Sequence, residues 1–147
     1  MERTYTLNDI AMMTGFTTRT LRTYLTQGLL KGDKVNGAWQ FTAEAVDAFF
    51  SEPYVKEGLR IKRSSAVFDF LADRKKKDAR SCVILDVPCA LSEGKKISDF
   101  FCRQMEKAHD VSFTFDWDGG MCRVIICGAE EQVRFIMNQY KSGCQES

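Results

Sequence analysis

Proline is nearly missing from this chain of 147 residues, with two in all, and histidine occurs once, at His109. With 44% apolar and 28% charged residues, that scarcity of proline excludes a disordered or low-complexity segment and leaves an ordinary globular composition. One histidine, and no CxxC pair or close Cys/His cluster, excludes a zinc site readable from spacing. No apolar run approaches the roughly 18 to 20 residues that span a bilayer, so no membrane association is expected. Cysteine is absent before residue 82; all six (82, 89, 102, 122, 127 and 144) lie in the second half. Net charge is only +1, which argues neither for nor against nucleic acid.

The first residues, Met1 to Tyr5, lead directly into amphipathic sequence. No signal peptide is therefore expected, and the expected location is cytoplasmic. There the cysteines would be reduced thiols that pack as small hydrophobes. The even net charge conceals a division. Residues 1–80 carry 14 Lys/Arg against 10 Asp/Glu, whereas residues 81–147 carry 7 against 10. An acidic second half would not compete with the first for phosphate.

Thr6-Leu7-Asn8-Asp9 has the form of a helix start, a threonine cap with an acidic residue in the first turn. Leu7, Ile10, Ala11 and Met13 then fall on one face. Gly15 breaks that helix, Thr17 or Thr18 caps a second one carrying Leu21, Tyr24 and Leu25, and Gly28 closes it. Two short helices joined by a tight Gly-containing turn make a helix-turn-helix. Asn36-Gly37 between Val35 and Ala38 is a strong hairpin signal and fits a wing. Thr42 caps a third helix with Val46, Phe49 and Phe50 facing inward.

The spacing predicts three regions. Residues 1–51 form a winged helix-turn-helix domain. Residues 52–80 are a helical connector with Leu59, Val67, Phe68 and Leu71, ending in the charged run from Arg74 to Asp78, with no sustained heptad repeat. Residues 81–147 form a small α+β domain of order β-α-β-β-α, an incomplete ferredoxin-like unit. Its first strand, Cys82 to Pro88, reads as buried on both faces. Val111, Phe113, Phe115 and Trp117 alternate as a half-buried strand, and Ile97, Phe100, Phe101, Met105 and Ala108 follow helical spacing. Asp118-Gly119-Gly120 turns into a further strand, and Val133, Ile136, Met137 and Tyr140 belong to a last helix. His109 with a cysteine lacks a third group or an oxyanion device, so no catalytic residue is expected.

Thr17, Thr18, Arg19, Arg22 and Thr23 fall on the first turns and outer face of the second helix, where a helix-turn-helix meets the major groove. Arginine can fork onto guanine or phosphate, and threonine can meet phosphate or a thymine methyl. Lys31, Lys34 and Asn36 would put charge and polarity on the wing. The stretches Tyr5-Thr6-Leu7-Asn8-Asp9-Ile10-Ala11, Thr14-Gly15-Phe16-Thr17, Arg19-Thr20-Leu21-Arg22-Thr23-Tyr24 and Gly28-Leu29-Leu30 resemble the N-terminal domain of the MerR family of transcription regulators. The resemblance implies a homodimer on a palindromic double-stranded promoter site, with Arg19, Arg22 and Tyr24 at DNA-contacting positions. It also implies activation through DNA deformation. No cofactor is expected, and no effector can be named. Trp39 stands where the family's wing carries arginine, so it either packs against the domain or offers its indole N–H to DNA. An excisionase-like or architectural DNA-binding protein would use the same winged fold. Alternatively, the second domain could act as a dimerisation, interaction or small-molecule sensor module.

Overall fold

Local chemistry sets the first two helices. In the computed structural model α1 (Leu7–Thr14) begins at a capping box: Thr6 Oγ1 accepts from Asp9 N at 3.0 Å, and Asp9 Oδ2 accepts from Thr6 N at 2.8 Å. It ends at Gly15, whose φ of 76° is left-handed. Buried Thr14 seals the turn, donating to Ile10 O at 2.7 Å and accepting from Phe16 N at 3.1 Å. Thr17 caps α2 (Thr18–Gln27) through Thr20 N, and Gly28 closes it. The structure describes residues 4–145, with the side chains of residues 63, 144 and 145 excepted, so the expectations for Met1 to Arg3 and for the thiol of Cys144 lie outside the described residues.

β1 (Thr4–Thr6), β2 (Asp33–Val35) and β3 (Ala38–Thr42) form an antiparallel sheet of order β1-β3-β2. Asn36 and Gly37 both have positive φ, 54° and 82°, which gives the β2–β3 hairpin its primed two-residue turn. α3 (Ala43–Ser51) starts at Thr42, whose hydroxyl accepts from Ala45 N. Val46, Phe49 and Phe50 bury against Ile10, Met13, Leu21, Leu30 and Phe41.

α4 (Pro53–Ala72) follows with proline at its start, where a missing N–H costs nothing. Its 20 residues span about 30 Å. Val55 and Leu59 bury in the first core, while Phe68 and Leu71, farther along, are exposed.

The second half runs β4 (Arg80–Pro88), α5 (Leu91–Lys107), β5 (Val111–Asp118), β6 (Met121–Ala129) and α6 (Glu130–Gln145). Its sheet is antiparallel throughout, of order β4-β6-β5. α5 and α6 bury Phe101, Phe115, Trp117, Val124, Ile126, Val133 and Ile136. β4 is not buried on both faces: it is an edge strand, and Ile84 is 53% exposed. α4 packs over β6 and β5 on the outer face and leaves β4 open.

The two halves share a core. α1 packs on α5 and β5, and α3 on β5. Trp117 Nε1 donates to Asp47 Oδ1 on α3 at 3.1 Å, its ring lying over Gly94. Lys95, with 8% of its side chain exposed, reaches Asp99 of its own helix at 2.6 Å and Asp9 of α1 at 3.3 Å. Lys56 on α4 meets Asp118 at 3.1 Å.

Candidate nucleic-acid interface

α2 buries Leu21 and turns a polar face outward. Arg19, Arg22, Thr23 and Thr26 share that face by helical spacing, and all four are exposed, as are Thr17 and Thr18. The hydroxyls of Thr23 and Thr26 donate back to Arg19 O at 3.2 Å and Arg22 O at 3.1 Å. Their remaining acceptor capacity and methyl groups are left outward. Among the described residues neither Arg19 nor Arg22 is held by a carboxylate, so the face presents two uncommitted guanidinium forks. Thr17 is occupied as the cap and contacts the Thr20 hydroxyl at 3.0 Å.

The β2–β3 hairpin stands beside this face. Lys34 is the register partner of Trp39, and its Nζ lies 5.5 Å from the indole centroid. Trp39 is half-buried and stacks on Phe41 with planes 16° apart. Between helix and hairpin lies a cleft of about 430 Å³ lined by Arg22, Leu25, Thr26, Lys34 and Trp39. Of the residues expected from sequence, the structure therefore brings Arg22, Lys34 and Trp39 together. Thr17, Thr18, Arg19, Thr23, Lys31 and Asn36 do not line this cleft. Lys31 is exposed on the segment leading to β2, and Asn36 is exposed at the hairpin tip.

Tyr24 is placed differently from its helical neighbours. Its ring is half-buried, edge-on to Phe16 at 5.6 Å and to Tyr54 at 6.2 Å, and close to Phe49 at 5.8 Å. Burial, and then the adjacent Tyr54, push its phenol above the ordinary tyrosine range. It braces α2 against the turn, α3 and α4. Two contributors escaped sequence reasoning. Thr26 follows Arg22 by four residues, and helical spacing could have found it. Lys62 of α4 donates to Gly15 O at 3.0 Å and sits 5.8 Å from the Phe16 ring; no local signal links it to a turn 47 residues away.

Residues 5–49 match the family model described as MerR HTH family regulatory protein. This segment is a MerR-type helix-turn-helix. The match supports a DNA-binding transcription regulator, and it runs from β1 into α3, stopping short of α4. No curated protein and no solved structure matches the chain. Beyond the MerR-type segment, no described helix is long and apolar enough to cross a membrane. Among the described residues no group of three His, Cys, Asp or Glu side chains is placed to hold a metal ion.

Proposed function

We propose that the chain is a cytoplasmic, homodimeric, sequence-specific DNA-binding transcription regulator. Residues 1–51 act as a winged helix-turn-helix, 52–80 as a helical connector, and 81–147 as a dimerisation module with ferredoxin-like strand order. The observation that carries the reading is the joint exposure of Arg19 and Arg22 on α2 with Lys34 facing Arg22 across the cleft. Set in the major groove, α2 would aim Thr18, Arg19, Arg22 and Thr23 at base edges and phosphates. The β2–β3 hairpin would lay Lys34 and Asn36, with Lys31 before it, along the flanking backbone, while Trp39 and Tyr24 hold hairpin and helix in place.

A gel shift across a salt series, on a duplex selected from a random library, tests this. Each phosphate contact contributes about 0.9 to the slope of log affinity against log salt. Arg22→Ala is expected to weaken binding roughly 5- to 150-fold, or to reduce that slope by about one if its contact is to phosphate. Salt-independent binding, or an unchanged variant, defeats the reading.

The two-fold contact is proposed at the open groove where Val67, Phe68 and Leu71 of α4 face Ile84 and Ile125 of the sheet. Phe68 is 70% and Leu71 68% exposed, and the groove they line opens beside the unpaired edge of β4. Leu71→Glu should convert a dimer to a monomer in sedimentation analysis with the circular dichroism spectrum unchanged. A dimer that persists places the contact elsewhere.

A further inference from the structure

Cys82 on β4 and Cys127 on β6 are Cα partners in the antiparallel register. Cys127 Sγ donates to Cys82 Sγ at 2.8 Å. Directly opposed residues of antiparallel strands have Cα atoms about 4.5–5.5 Å apart, inside the roughly 4.4–6.8 Å that a disulfide bridges. Both side chains are half-buried. Cys127 borders a cavity of about 470 Å³ between α4 and the outer sheet face, beside Ser65, Asp69, Phe70, Arg80 and Thr114. A small solute can therefore reach Cys127, and Cys82 lies beside it on the open edge strand; the DNA-binding reading uses neither thiol.

We propose that Cys82 and Cys127 form a reversible dithiol–disulfide site, oxidised by a low-molecular-weight disulfide and restored by a thiol reductant. The chemistry is two successive exchanges. The Cys82 thiolate attacks one sulfur of the oxidant, forming a mixed disulfide and releasing one thiolate. The Cys127 sulfur, after losing its proton to solvent, attacks Cys82 Sγ and expels the second thiolate. The two released thiolates take up two protons, so the protein loses two hydrogens and the oxidant becomes two thiols. We assign the attack to Cys82, on the edge strand β4, and the resolving step to Cys127, beside it on the central strand β6. Burial, then Cys82 itself, push the Cys127 thiol up to about 12, with Arg80 opposing, so that thiol rests protonated.

A second pair supplies an internal contrast. Cys122 sits beside Cys89, and its thiol is likewise pushed up to about 12, by burial and then by Cys89. Cys122 is fully buried, however, and its register partner on β4 is Val87 rather than a cysteine. It should resist an oxidant that closes the first pair.

The test uses the full chain carrying Cys144→Ser, exposed to oxidised glutathione under native conditions, then alkylated and mapped by mass spectrometry. The expected product has lost two of the five remaining thiols, carries no glutathione and links the peptides of Cys82 and Cys127. Dithiothreitol should return both thiols. Cys127→Ser, which removes the resolving sulfur, should stop as a stable glutathione adduct on Cys82. A persistent adduct on the chain with Cys127 intact, a Cys89–Cys122 link, or five unreacted thiols would overturn the proposal. The native peptide map decides even if a variant fails to fold.

Discussion

Trp117→Ala is expected to lower the free energy of unfolding by about 4 kcal/mol, the range for deleting a buried indole. Trp117 is 4% exposed and lies where the two halves meet, its ring over Gly94 and its Nε1 on Asp47 of α3. Truncation opens a cavity between β5 and α5 and removes a hydrogen bond across the seam. Urea unfolding followed by circular dichroism measures the loss. Trp117→Phe keeps most of the buried ring and should forfeit about 1–2 kcal/mol, largely for the missing donor. If alanine and phenylalanine cost the same, the ring is not what holds the seam.

Gly128→Ala should cost about 3 kcal/mol although it adds one methyl group, at the upper end of overpacking penalties. A Cβ at Gly128 would lie 2.3 Å from Asp110 O and 2.7 Å from the Cα of Val111, its register partner on β5. These are backbone atoms and cannot step aside as a flexible side chain does. Asp110 is itself held in the left-handed region, φ 59°, with its carboxylate forked by Arg80 at 2.6 and 2.9 Å and its carbonyl taken by Ala129 N. Relief would have to come from separating β5 from β6. Gly58→Ala provides the opposite sign: the site is exposed on α4 with no atom near its Cβ, and alanine should stabilise the helix by about 0.5–1 kcal/mol. Thermal melts of both variants measure the contrast; equal shifts would show that sterics at Gly128 do not govern it.

Features governed by neighbours in sequence were legible, and those governed by distant packing were not. Thr6, Thr17 and Thr42 cap their helices through amides three residues on, and Gly15, Gly28 and Asn36-Gly37 take the backbone conformations their residue types allow. β1 escaped notice because three residues carry no periodicity, and it exists only by pairing with β3. The open face of β4 depends on where α4 crosses the sheet, which a continuous apolar run cannot reveal. Lys95 is buried between carboxylates of two helices, and nothing in its local sequence signals the partner on α1. At the candidate interface, helical spacing places Arg19 and Arg22 on one face. It does not show that Tyr24, two residues beyond Arg22, points its ring into an aromatic cluster.

Lys62 has a mechanical consequence. By holding the Gly15 carbonyl at the helix-turn-helix corner, it pins α1 and α2 to the same α4 whose far end carries Phe68 and Leu71. α2 is thus tied to α4 through the turn that precedes it. In the proposed two-fold assembly built on the far end of α4, the distance and angle between the two copies of α2 would become properties of the scaffold. Such an assembly should tolerate substitutions between its half-sites better than insertions. One added base pair would shift a half-site by about 3.4 Å and rotate it by roughly a tenth of a turn.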